Sequence, residues 1–77
     1  MRDLYLIKDL AVRSGYSIHT LKFYLKLGLI KEINRSPETN FRYFDNSTIE
    51  TLKRIHSLRL QRKSLSEIKE VLTRKEG

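Results

Sequence analysis

Two glycines divide the first third of this chain, and their placement constrains the fold more than any other feature. Ile7, Leu10 and Ala11 recur at helical spacing, and Gly15 follows where a helix commonly ends in a left-handed residue. Ser17, with Thr20, opens a second segment whose apolar positions Ile18, Leu21 and Leu25 fall at i, i+3 and i+7. Gly28 and the hydrophobic Leu29 close it. The pattern predicts two short helices joined by the turn Ser14-Gly15-Tyr16.

Beyond Gly28 the periodicity changes. Two β-prone runs, Leu29 to Ile33 and Phe41 to Phe44, flank a polar stretch from Asn34 to Asn40, which reads as a β-hairpin. Ser47-Thr48-Ile49-Glu50 is a capping-box sequence and predicts the start of a third helix reaching Leu60, with Ile49, Leu52, His56 and Leu60 on its apolar stripe. A second box, Ser64-Leu65-Ser66-Glu67, predicts a fourth helix carrying Leu65, Ile68, Val71 and Leu72 on one face. The expected fold is mainly α, a single small domain over residues 1–77 in the order helix, helix, hairpin, helix, helix, with the hairpin as a wing. The 77 residues suffice for one domain and a modest core.

Sixteen Lys and Arg against 9 Asp and Glu give a net charge of +7, a surface that attracts polyanions or simply stays soluble. Membrane association would require a long apolar span or a basic helix with bulky apolar anchors, and neither pattern occurs. There is no cysteine, so disulfides and thiolate metal sites are excluded; a reducing cytoplasm fits. The opening Met1-Arg2-Asp3-Leu4 lacks the apolar run of a signal peptide. With two histidines, no glycine-rich phosphate loop and no HExxH, the chain lacks the parts of an enzyme, and neither cofactor nor metal is expected. His56, on an apolar stripe, reads as a packing residue.

A helix-turn-helix needs a scaffold helix, a turn often containing glycine, and a second helix with a polar outer face to enter a major groove. Residues 7–28 meet that description. With Ile18, Leu21 and Leu25 inward, a helical wheel points His19, Thr20 and Phe23 outward, with Lys22 and Lys26 on one flank and Tyr24 on the other. Phe23 and Tyr24 are alternatively core aromatics. Lys22 suits phosphate better than a base, since an ammonium lacks the planar fork of arginine. His19, at the helix start, is either a base reader or a solvated residue.

The series Leu6-Ile7-Lys8-Asp9-Leu10-Ala11, Ser17-Ile18-His19-Thr20-Leu21-Lys22-Phe23-Tyr24, Gly28-Leu29-Ile30, Asn40-Phe41-Arg42-Tyr43-Phe44 and Ser64-Leu65-Ser66-Glu67-Ile68 resembles the DNA-binding module of MerR-type transcription regulators. The likeness spans roughly residues 5–72. It implies a winged helix-turn-helix that binds double-stranded DNA in transcription control. By that likeness His19, Thr20 and Phe23 face the groove, Tyr24 touches phosphate, and Arg35 and Arg42 hold phosphates from the wing; Ser17, Asn40 and Tyr43 complete the expected contact set. Arg42 is otherwise a solvated strand residue.

The chain also departs from the family pattern. Lys22 replaces the usual Arg, Leu25 an acid, Glu32 stands near the usual Pro, and Asn40 takes the place of a wing Gly, which its tolerance of left-handed backbone allows. Arg62 and Lys63 occupy a turn where a Gly and an aromatic are usual; they are either a second phosphate clamp or solvated charge. Two rival functions are an excisionase-like architectural DNA-binding protein and a protein-interaction module. Family members continue into a long dimerising helix and an effector domain, whereas here Thr73-Arg74-Lys75-Glu76-Gly77 offers no further heptads. The chain as given is therefore expected to be a monomer, and a homodimer is expected of a longer protein or on paired DNA half-sites. Sedimentation at micromolar concentration checks this: a single monomeric species is expected, and a stable dimer without DNA contradicts it.

Overall fold

Side chains that satisfy free amides determine where the helices begin. The computed structural model describes residues 4–74, and both the N-terminal Met1-Arg2-Asp3 and the end of the heptad-free tail lie outside the described residues. Helix α1 spans Ile7–Ser14, with the Asp9 carboxylate accepting from the Leu6 amide at 3.2 Å. It ends on Gly15 at φ 80°, whose amide donates to the Ala11 carbonyl at 2.9 Å. Helix α2 spans Ile18–Leu27, begun by Ser17 Oγ accepting from the Thr20 amide at 3.1 Å. Gly28 (φ 81°) and Leu29 close it by donating to the Leu25 and Tyr24 carbonyls. Both glycines thus hold the left-handed conformation the sequence assigns them.

Helix α3 spans Asn46–Leu60 and corrects the sequence reading at its start. Asp45, not Ser47, is the cap: its carboxylate accepts from the Ser47 amide at 3.0 Å, and Glu50 lies instead beside Lys53 at 3.7 Å. Aspartate is as good a cap as serine, and its earlier position wins. Helix α4 spans Leu65–Thr73 and has the expected box, Ser64 Oγ accepting from the Glu67 amide at 3.2 Å and Glu67 accepting from the Ser64 amide at 2.9 Å. The turn between these helices places Arg62 at φ 65°, a left-handed conformation that costs a residue with a Cβ about 1–2 kcal/mol.

The hairpin consists of β1, Asn34–Arg35, antiparallel to β2, Arg42–Tyr43, with Asn34 opposite Tyr43 and Arg35 opposite Arg42. Its first strand lies later than the apolar run 29–33, because Leu29 and Ile30 are buried in the turn after α2. Asn40 takes φ 65° as its side chain permits, and its amide donates to the Ser36 carbonyl at 2.8 Å. Tyr5 extends the hairpin beyond the expected two strands, exchanging backbone hydrogen bonds of 2.7 and 2.8 Å with Phe44.

Every helix contributes to one buried cluster. Leu10 of α1, Leu21 and Tyr24 of α2, Leu52 and Ile55 of α3 and Ile68 of α4 surround Phe44, with Tyr5, Leu29 and Ile30. On α3 the inward positions are Thr48, Leu52 and Ile55, spaced i, i+4, i+7. His56 is therefore not a core residue: one step of about 100° beyond Ile55, it is exposed, as is Leu60 at 72%. Among the described residues, no helix is long and apolar enough to cross a membrane.

The strained turn makes a stability prediction. Arg62→Gly should raise unfolding free energy by about 0.5 kcal/mol, since relief of the left-handed penalty outweighs the entropy glycine loses. Arg62→Val should lower it by about 1 kcal/mol, because branching at Cβ worsens the same clash. Urea denaturation of the two variants checks both signs.

Candidate nucleic-acid interface

The rotation of α2 about its own axis decides which of its residues are presented. Leu21 is fully buried and Tyr24 is 2% exposed, its ring edge-on to Tyr16 at 5.5 Å, so the inward line runs through 21 and 24. Ile18, expected inward, is 40% exposed, and Leu25 is half-buried. Tyr24 is thus corrected from an exposed phosphate contact to a core aromatic: an edge-on aromatic pair and burial favour the inward ring. Phe23, the residue before it, points out at 46% exposure.

His19, Lys22, Phe23 and Lys26 form the exposed face. Ser17 and Thr20 are partly committed to the helix start, since Ser17 Oγ donates to Thr20 Oγ1 at 2.9 Å while accepting from the Thr20 amide. Thr20 is half-buried.

The hairpin presents Arg35, Asn40 and Arg42 exposed, with Tyr43 half-buried. Arg35 and Arg42 are directly opposite across the strands, a pairing that like charges disfavour. Glu32 relieves it, lying 2.8 Å from the Arg35 guanidinium and 3.9 Å from Nε of Arg42. A hydrogen bond from its own backbone and the Arg35 guanidinium, with the charge of Arg42, outweigh partial burial and hold the Glu32 carboxyl below the usual carboxylate range.

Two clefts join α2 to the hairpin. One of about 390 Å³ is lined by Leu6, Ile7, Lys8, Lys22, Asn40, Phe41 and Arg42. The second, also about 390 Å³, brings Lys22, Lys26, Lys31, Glu32 and Arg42 together near Gly28 and Ile30. Lys22 and Arg42 belong to both, whereas Arg62 and Lys63, on the α3–α4 turn, line neither. Sequence reading missed Lys8 and Lys31. Lys8 stands on the exposed side of α1, a position that helical spacing identifies; Lys31 lies within a run read as strand, where nothing marks it. Chemically, this surface offers lysines and an arginine along the two clefts, with the imidazole of His19 and the ring of Phe23 exposed on α2. Among the described residues there is no cluster of metal-ligating side chains.

The opposed orientations of neighbouring aromatics make a test. Tyr24→Ala should cost about 3 kcal/mol or more, enough to abolish most of the unfolding transition of so small a domain, whereas Phe23→Ala should change stability by less than about 0.5 kcal/mol. Thermal melts followed by circular dichroism read both.

Comparison with known proteins agrees with this fold. Residues 5–75 match the family model described as MerR HTH family regulatory protein. No functionally curated protein matches the chain. Among solved structures, the HTH-type transcriptional regulator SkgA from Caulobacter crescentus superimposes with a TM-score of 0.88 at 26% identity, over 100% of this chain and 55% of that one. HiNmlR, a MerR family regulator lacking the sensor domain and solved bound to promoter DNA, gives 0.79 at 28% identity, over 91% and 52% respectively. A MerR family transcriptional regulator from Bacillus cereus shares the fold at 0.85 and 21% identity, over 97% and 55%. The chain spans about half the length of these structures. The chain belongs to the MerR HTH family of regulatory proteins, as a helix-turn-helix DNA-binding domain and not an enzyme.

Proposed function

We propose that this domain binds double-stranded DNA sequence-specifically in transcription control, with the exposed face of α2 in the major groove and the hairpin on the phosphate backbone. The observation that supports the reading is the shared lining of the two clefts: Lys22 of α2 and Arg42 of the hairpin border both, so cations of the helix and of the hairpin lie on one continuous surface. A similar regulator, HiNmlR, was solved on promoter DNA. The net charge of +7 suits the polyanion.

Roles follow from chemistry and position. His19, exposed at the second helical residue, reads a base edge, since imidazole can donate to or accept from N7 or O6 of guanine. Phe23 makes apolar contact beside it, and Thr20 contributes what its bond to Ser17 leaves free. Lys22, Arg35 and Arg42 neutralise phosphates and fix register. Asn40 shapes the wing through its left-handed backbone. The domain works as a monomer per half-site, with paired copies on paired sites, in the cytoplasm where such DNA is found.

Selection of bound duplexes from a random pool tests binding and specificity together, and an unenriched pool would overturn the reading. On the selected duplex His19→Ala should cost about 1–3 kcal/mol while leaving unrelated duplex much less affected. Arg42→Ala should weaken both about equally and reduce the salt slope by about 1, because a phosphate contact carries charge but no base information. Equal losses for His19→Ala on both duplexes remove His19 from the readers, and a loss confined to one base position makes Arg42 a reader.

A further inference from the structure

One of the two clefts between α2 and the hairpin has a single acid among its cations. Its lining includes four cations, Lys22, Lys26, Lys31 and Arg42, and one acid, Glu32. That carboxylate reaches both hairpin arginines, accepting from the Arg35 guanidinium at 2.8 Å and standing 3.9 Å from Arg42 Nε. Two guanidinia converging on one oxyanion is also the arrangement that binds a phosphate. Neither arginine is withdrawn from solvent, since their side chains are 42% and 46% exposed, nor is Glu32 sealed in at 28%. The pairings are thus exchangeable.

We propose that Glu32 is an internal competitor for phosphate: in the free domain its carboxylate occupies the anion position between Arg35 and Arg42, and DNA backbone must displace it. This rests on the DNA-binding reading above. An exposed ion pair is weak, so a phosphate in a highly charged polymer replaces the carboxylate readily at low salt. The consequence is lower affinity for any duplex, paid equally at every sequence, so that base contacts from α2 count for more of what remains. Meanwhile Glu32 separates two like charges that face each other across a hairpin of only two residue pairs.

The experiment compares the wild-type chain with E32Q on the selected duplex and on an unrelated duplex of the same length, across a salt series. E32Q should bind both about threefold to tenfold more tightly at low salt, with a steeper salt dependence, as two pairs of modest strength no longer oppose binding. E38Q, which removes one charge from the hairpin's connecting turn, controls for net charge and should gain less. In the R35A/R42A background the E32Q gain should vanish, and E32D should stay near wild type. Circular dichroism melts confirm that each variant is folded. Equal or weaker binding by E32Q than by a wild type that does bind overturns the competitor role, as does a gain that matches E38Q or survives loss of both arginines. A wild type that binds no duplex at any salt overturns the DNA reading itself.

Discussion

Burial of Leu21 and Tyr24 sets the azimuth of α2, and which side chains of that helix face solvent depends on it. Leu21 is fully enclosed, and Tyr24 is locked edge-on to Tyr16. Both belong to the cluster around Phe44 that also receives α1, α3 and α4. A helix rotated by one residue would bury Phe23 and expose Tyr24, replacing an apolar, groove-compatible face with a phenol. The Ser17 cap and the Gly28 termination add the second constraint, because they fix the length and exit of α2 independently of its rotation.

Charge acts on this frame at the periphery. The cations of α1, α2, the 28–33 turn and the hairpin come from distant parts of the sequence, yet the fold gathers them along two adjoining clefts. The basic surface therefore follows from tertiary placement, whereas the base discrimination we propose rests on a few side chains of α2. Glu32 sits where these two functions meet. It both supports the hairpin and offsets part of its charge, a combination that allows a basic domain to avoid indiscriminate adhesion to DNA.

Much of the architecture was legible because local signals agreed with tertiary ones. Ser17, Gly15, Gly28 and the Ser64–Glu67 box act within a few residues, so sequence spacing locates them. Misreadings arose where two local signals competed or a distant residue decided. Asp45 and Ser47 are both good caps, and spacing does not rank them. Leu29 and Ile30 look like strand residues but fill the core beneath α2, pushing β1 to Asn34–Arg35. Ile49, Leu52 and Leu60 match a helical period that puts His56 on an apolar stripe, but Ile55, one residue away, holds the buried line instead. For the interface, exposure of His19, Lys22 and Phe23 followed from the wheel, but Tyr24 did not, since its partner Tyr16 lies outside α2. Lys8, Lys31 and the Glu32–arginine cluster required the assembled fold.

The most direct measurement is a backbone amide spectrum of the labelled domain titrated with the selected duplex. The changes should concentrate at residues 17–23 of the α2 start and at residues 31–43 of the hairpin and its approach. The outer face of α3 around Lys53 and His56, equally exposed and also carrying positive charge, should stay unchanged. Perturbations centred on α3 or α4, with α2 silent, would contradict the central claim that the azimuth of α2 defines the DNA-reading surface.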